Sequence, residues 1–339
     1  MERSWDFVSD TIVIRYESKD ALATTWSRWN GYCENRIGQA RSLEELNNKV
    51  FIQAYELSNT LSPGVADDQI TLIRADREKD CQRLISYAIG CMMGRYSLDE
   101  PGLIYAHAGN VGFEPGRYTT YPADADGIVP ITDELWFADD ACSRIREFLR
   151  AVWGDSPSPQ PSPQRGEGVN ANMAWLAESL GAKTTETPDE TIRRYIADKF
   201  FKDHLQTYKK RPIYWLFSSG KQGAFQALVY LHRYSEGTLA RLRAEYVVPL
   251  TGKMQSRIEM LEKDKDVAIS TAARNKIAKQ IESLKKKHVE LLAYDEKLRH
   301  YADMRITLDL DDGVKVNYGK FGDLLAEVKA VTGGANDES

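Results

Sequence analysis

The spacing of apolar residues predicts a chain built mostly from helices. Apolar side chains recur three or four positions apart within 20–58, which is the spacing of one helix face. These residues are Leu43, Leu46, Val50, Phe51, Ala54 and Leu57. Similar patterns predict helices over 76–93, 139–153, 173–180 and 187–208, the last of which opens on a Thr-Pro-Asp-Glu capping box.

Regular helical spacing is interrupted twice. Six glycines are spread between 94 and 130, which favours irregular loops with short strands, 103–106 among them. The run 213–217 is short, apolar and β-prone. The pattern over 223–234 fits a helix or a strand equally well, so we expect a mixed α+β fold with few strands.

The clearest periodic segment is 252–303. Its apolar positions step by four and three, as in a heptad repeat, with polar positions at His288 and Asp295. Ser270 and Thr271 can end one helix and cap the next. We therefore predict an antiparallel hairpin of two unequal helices; a single long solvated helix is the alternative, since alternating charge also suits that structure.

Two further segments complete the predicted organisation. The sequence 305–316 reads as two strands around an Asp-Asp-Gly turn, and 320–331 as a terminal helix. The segment 155–168 holds four prolines and no apolar side chain that could anchor it in a core. Proline removes backbone donors, so this segment is expected to be an extended linker or an insertion; a proline-motif ligand for a partner domain is the alternative.

Composition limits the classes of function. The chain has 339 residues and a net charge of −5, so a surface for nucleic acid must be a local patch. Its four cysteines form no C-x-x-C pair, and no apolar stretch approaches the roughly 20 residues that span a bilayer. We therefore expect a cytoplasmic protein without a membrane partner, a signal peptide or a disulfide framework.

One window is strongly basic. Between 205 and 243, seven Lys or Arg residues face a single Glu, which gives +6 inside an acidic chain. Cations bind phosphates, and aromatic or amide side chains can stack on or read bases. The candidate DNA-binding residues are Lys209, Lys210, Arg211, Tyr214, Trp215, Lys221, Gln222, Arg233, Arg241 and Arg243. The alternative is a cationic face over an ordinary aromatic core.

Several strings resemble the PglX proteins, the adenine-specific DNA methyltransferases of BREX phage-defence systems. They are KKRPIYWLFSSGKQ at 209–222, YAIGCMMGRYSLD at 87–99, LDLDDGVKVNY at 308–318, LLAYDEKLRHYAD at 291–303 and SWDF at 4–7. The strings occur in order over nearly the whole chain. The glycine-rich S-adenosylmethionine loop and the Asn-Pro-Pro-Tyr-type motif of the family are absent from this sequence, so no catalytic or cofactor residue can be assigned.

The residue pattern predicts a predominantly helical α+β fold with a long antiparallel helical hairpin near the C-terminus. The resemblance implies that the mixed region before it serves target recognition. We expect a recognition region, a Pro-rich linker or insertion, a basic-aromatic DNA-binding region, a helical-hairpin spacer, and a β-hairpin with a terminal helix. Their bounds are 1–154, 155–172, 173–250, 251–304 and 305–339.

The implied function is to bind duplex DNA and select the site while another polypeptide methylates it. The expected partners are double-stranded DNA and a catalytic methyltransferase or other BREX proteins. S-adenosylmethionine is expected to bind that other polypeptide, so this chain alone would be non-catalytic. The alternatives are a protein-interaction scaffold in a phage-defence complex and a non-functional truncated fragment.

Overall fold

A computed structural model describes residues 7–16, 20–154 and 167–333. Helices dominate it, and the α+β prediction is confirmed. In chain order they are α1 (Leu22–Ala54), α2 (Arg77–Met92), α3 (Ala141–Trp153), α4 (Glu167–Ser179), α5 (Pro188–Tyr195), α6 (Phe201–Thr207), α7 (Thr238–Arg241), α8 (Val248–Val267), α9 (Thr271–Asp303), α10 (Gly313–Gly319) and α11 (Val328–Thr332). Two π-helical stretches, Ile196–Phe200 and Leu242–Val247, make α5–α6 and α7–α8 continuous helical runs.

The described strands form one antiparallel sheet in the order β1-β3-β2. They are β1 (Ile128–Ile131), β2 (Tyr214–Ser218) and β3 (Gln226–Tyr230), so the undecided segment 223–234 contains a strand. Every residue of these strands is buried except the half-buried Ser218 and Gln226. The sheet is therefore covered on both faces, which explains why its strands are continuously apolar.

Side chains at the helix starts fix several of the predicted boundaries. The Thr187 hydroxyl accepts a hydrogen bond from the Glu190 amide, and the Glu190 carboxylate accepts one from the Thr187 amide (2.7 Å). The side chains of Asp76 and Asp140 each accept one hydrogen bond at the starts of α2 and α3, from the amides of Lys79 and Ser143 respectively. Such caps satisfy backbone donors that the first helical turn leaves free, so the sequence signal for these boundaries was local and the predicted helices are confirmed.

The hairpin prediction for 252–303 is confirmed as two helices. The chain leaves helical geometry at Ala268, and the Ser270 hydroxyl accepts from the Ala273 amide to start α9. Ile258 and Leu261 on α8 pack with Ile281 on α9 in a small core of their own. The alternative of one continuous helix is therefore wrong.

The predicted β-hairpin at 305–316 is wrong. Leu310–Asp312 is a 3₁₀ turn that leads directly into α10, because the Asp309 carboxylate accepts from the Asp311 amide (3.0 Å). The Asn317 side chain then donates to the Gly313 carbonyl (3.0 Å). Short local hydrogen bonds of Asp and Asn compete with strand pairing, and here they prevail.

The predicted terminal helix at 320–331 is largely wrong. Only a 3₁₀ turn at Gly322–Leu324 and the short α11 are helical. Between them the Ala326 amide donates to the Leu216 carbonyl (2.8 Å), and Leu325 bridges to Phe217. The segment therefore extends along the outer edge of β2. The strand predicted at 103–106 is also absent, since these described residues are irregular.

The Pro-rich segment lies mainly outside the described residues, which resume at 167. Residues 167–172, placed with the linker by their sequence, belong to α4. Asn172 is buried there, and its side-chain oxygen accepts from the Leu22 amide (2.9 Å). This part of the segment is thus integrated into the core. None of the helices in the described part of the chain is both long and apolar enough to cross a membrane.

Candidate nucleic-acid interface

One exposed part of the basic window is the turn between α6 and β2. We call Lys209, Lys210 and Arg211 the basic turn; all three side chains are exposed. Among the described residues, none of the three takes part in an ion pair, whereas many other exposed cations of the chain do. Their charges are therefore available to an anionic partner.

The backbone of the basic turn is unusual. Lys209 and Lys210 both adopt left-handed conformations, with φ of 50° and 61°. A residue with a Cβ atom pays for this conformation, so two in succession need support from their surroundings. Hydrogen bonds supply it: the Lys210 amide donates to the Leu205 carbonyl (2.8 Å), and the Arg211 amide to the Tyr208 carbonyl (3.0 Å). The three cations are thus held on a fixed backbone.

The buried side chain of His204 supports the basic turn. Its Nε2 atom accepts hydrogen bonds from the amides of Ile213 (3.1 Å) and Tyr214 (3.3 Å), so it joins α6 to the start of β2. Burial, together with the nearby charge of Arg95, lowers the pKa of His204 to about 3. The ring is therefore neutral at physiological pH, and Nε2 keeps the lone pair that both amides require.

Arg95 brings a further positive charge close to His204 and Tyr208, next to the basic turn, and the charge count of the window missed it. Its guanidinium donates to the hydroxyls of Tyr96 (3.1 Å) and Tyr230 (3.2 Å). It also interacts electrostatically with Tyr208, whose ring lies 4.6 Å from that of His204. Arg95 lies more than 100 positions before the window in sequence, so only folding brings it close to Tyr208 and His204.

A second exposed basic position lies at the turn between β2 and β3. Lys221 and Gln222 are exposed at its tip. Glu290 of α9 binds this turn from inside: its carboxylate accepts from the Gln222 amide (2.7 Å), the Ala224 amide (3.2 Å) and the Ser219 hydroxyl (2.7 Å). The tip is therefore anchored to the helical hairpin.

Three of the ten predicted DNA-binding residues are buried. Tyr214 and Trp215 are at most 1% exposed, and the Trp215 indole donates to the Pro212 carbonyl (3.0 Å). The Arg233 guanidinium donates to the carbonyls of Asp124 (2.6 Å) and Ala125 (2.8 Å). In this fold the three side chains are part of the core. Trp215 is therefore not exposed for stacking on a base. For these residues the alternative of an aromatic core is the better description.

The remaining two arginines have carboxylate partners. Arg243 pairs with Asp295 of α9 (2.7 Å), and Arg241 pairs with Glu245 (3.4 Å). Both partners lie beyond the end of the basic window, so the charge of +6 overstates the free positive charge of this region.

The exposed cations form two groups at opposite ends of β2. The strand has five residues, so at about 3.3 Å per residue it is roughly 17 Å long. Charges recur about every 3.4 Å of helix axis along one DNA strand. The two groups therefore lie far enough apart to contact different phosphates of a duplex. No set of His, Cys, Asp or Glu side chains suited to a metal ion occurs within the described ranges.

Two curated proteins named as adenine-specific methyltransferases are similar to nearly the whole chain, although no family model matches it. The chain is 44% identical to the adenine-specific methyltransferase BrxX of Escherichia coli O9:H4 (strain HS), over 98% of its length. It is 38% identical to the adenine-specific methyltransferase PglX of Lacticaseibacillus casei (strain Zhang), over 94%. The chain spans only 28% and 26% of these relatives. The resemblance noted in the sequence is thereby supported for nearly the whole chain.

Proposed function

We propose that this chain is the DNA-holding, target-recognition part of an adenine-specific methyltransferase system. The observation that carries the proposal is the basic turn, whose three cations have no ion-pair partner in the described structure and are held on a left-handed backbone. A strained backbone tends to be retained at functional sites. The similarity to adenine-specific methyltransferases supports DNA as the anionic partner.

In this proposal the basic turn binds the phosphate backbone and sets the orientation of the duplex. Phosphate contacts position a protein on DNA, whereas contacts with base edges specify the sequence. Gln222 is the exposed amide of the second group, and an amide can form two hydrogen bonds with adenine. We therefore assign phosphate binding to Lys209, Lys210, Arg211 and Lys221, and base contact to Gln222.

Catalysis belongs to a separate methyltransferase polypeptide in this proposal. That polypeptide flips the target base and holds S-adenosylmethionine, and this chain does neither alone. The proposed setting is a cytoplasmic BREX phage-defence complex. Calorimetry of the purified chain with S-adenosylmethionine tests the division of roles, since a stoichiometric site of micromolar affinity would contradict it.

Fluorescence anisotropy with duplex DNA tests the proposal itself. The chain should bind duplexes of mixed sequence, and Gln222→Ala should weaken binding to the preferred site while leaving non-specific binding unchanged. Asn47→Ala, a change of another exposed amide on α1, is the matched control and should change neither. Failure of the unmodified chain to bind any duplex at low salt would contradict the proposed function.

The scaffold alternative must rest on a surface other than the heptad seam. Ile258, Leu261 and Ile281 of that seam pack against each other within the hairpin, and Leu291 and Leu298 are buried in the main core. A seam that is already covered offers little to a partner. A different helix of the chain, however, carries an uncovered apolar face.

A further inference from the structure

The second half of α1 extends away from the core. The buried residues of this helix all lie in its first half; they are Leu22, Thr25, Trp29, Cys33 and Ile37. Every residue from 38 to 54 is exposed or half-buried. At 1.5 Å per residue this half is about 25 Å long.

The chain covers one side of this projecting half with its own backbone. Residues 63–67 run back along it: the Asn48 side chain donates to the Pro63 carbonyl (3.3 Å), and the Val65 amide donates to Glu45 (3.2 Å). Arg41 forms an ion pair with Asp67. These contacts are polar, and Arg41, Glu45 and Asn48 all lie on one face of the helix.

The opposite side of the same half is apolar and bare. Leu43, Leu46 and Val50 are 66%, 59% and 56% exposed. At 100° per residue they lie within about 60° of one another, and roughly opposite Arg41, Glu45 and Asn48. We call these three residues the apolar stripe; a group of exposed apolar side chains on one face of a projecting helix is a candidate interaction surface.

Toward the core, the surface beside the apolar stripe is open and is lined by Asn35, Gly38, Gln39, Ser42 and Leu43 of the same helix. A Cβ atom added to Gly38 would meet nothing within 4 Å. The small residues thus leave space for side chains of a partner beside the stripe.

The size of the stripe argues against a second copy of this chain as its occupant. Leu43 to Val50 span about 10 Å of helix axis, and a strip of that length and about 10 Å wide, the diameter of a helix, covers roughly 100 Å². A stable dimer buries about 800 Å² on each partner. Contacts between parts of one larger assembly can be small individually, because the parts are held together elsewhere and their effective concentration is high.

The relatives indicate what the larger assembly contains. About three quarters of each methyltransferase lies outside the region that matches this chain. We infer that the apolar stripe of α1 docks against that methyltransferase portion. The inference rests on the proposed function, because both assume the same catalytic methyltransferase as the partner. It adds the surface through which this chain contacts that partner.

Hydrogen exchange tests this surface in a full-length setting. The chain is compared alone and in a chimera in which it replaces its matching region of the Escherichia coli relative. Amides of 38–54 should exchange at least tenfold more slowly in the chimera, whereas those of the hairpin tip, 262–274, should be unchanged. Leu43→Asp with Leu46→Asp should abolish the slowing. The matched control pair is Val267→Asp with Ile269→Asp, two apolar residues at the hairpin tip that are 77% and 101% exposed; it should leave the slowing intact.

Each outcome bears on one claim. Equal exchange of 38–54 in both proteins overturns the inference, as does loss of slowing with the control pair. Protection that rises with the concentration of the chain alone identifies a second copy and also overturns it. DNA affinity of the isolated chain is measured in parallel: protection without DNA binding removes only the proposed function, and DNA binding without protection removes only this interface.

Discussion

Replacing His204 by Gln should make the fold markedly less sensitive to acid. His204 is buried and accepts two backbone hydrogen bonds at the start of β2. Glutamine keeps a side-chain acceptor of similar reach but cannot titrate. The variant therefore removes the proton linkage of this site and retains a means of satisfying the Ile213 and Tyr214 amides.

The size of the effect follows from the two pKa values of His204. Its pKa is about 3 in the fold, against 6.5 when it is solvated. A depressed pKa means that the unfolded chain binds the proton first, so this contribution to stability is complete above about pH 6.5 and is lost as the pH falls toward 3. Between pH 7 and pH 5 the loss amounts to about 2 kcal/mol.

Urea unfolding of both proteins at pH 7 and pH 5 measures this difference. Other groups also titrate: the pKa of His232 is lowered to about 4, while burial raises the pKa of Asp10 to about 6 and that of Asp126 to about 8. They are present in both proteins and cancel in the comparison. The natural chain should lose about 2 kcal/mol more than the variant; equal losses would refute the neutral, hydrogen-bonded His204 described here.

Three further substitutions test individual contacts. Trp215→Ala should cost about 3–5 kcal/mol in urea unfolding, because the indole is fully buried, and a near-zero cost would contradict its place in the core. Glu290→Ala should speed hydrogen exchange at the Gln222 and Ala224 amides far more than at the Ala273 amide of the hairpin. Arg193→Met should cost about 3–5 kcal/mol by chemical denaturation, since it leaves the buried Asp140 carboxylate without its ion-pair partner; a stable variant would show that the pair is dispensable.

Features set by local sequence were predictable. The Thr187 capping box, the break at Ser270 and the α1 periodicity all depend on residues a few positions apart. The strands were harder to predict from the sequence. The segment of β3 fits a helix or a strand equally well, and it is a strand because it pairs with β1 on one side and β2 on the other. The Asp-Asp-Gly sequence at 311–313 is a common hairpin turn, yet here the Asp309 and Asn317 side chains turn the chain into a helix.

The candidate site shows the same limit. Counting charges in a window found the basic turn, whose residues are consecutive. It could not find the partners of Arg243 or Arg233, because Asp295 and the 124–125 carbonyls are distant in sequence. The helical spacing of Leu43, Leu46 and Val50 predicted α1 correctly, but spacing alone does not say whether a face is covered by this chain or by another one.

The salt dependence of DNA binding, measured by filter binding, tests the central claim most directly. Replacing Lys209, Lys210 and Arg211 by Ala removes up to three phosphate contacts, each of which contributes about 0.9 to the slope of log affinity against log salt. The matched control replaces Lys263, Lys265 and Lys279, three exposed cations of the helical hairpin.

The account predicts a slope shallower by up to about 2.7 for the basic-turn variant, with weakening that is similar for every duplex sequence. The control should keep the slope of the natural chain. An unchanged slope in the basic-turn variant, or an equal change in both variants, would contradict a DNA-binding role for this turn.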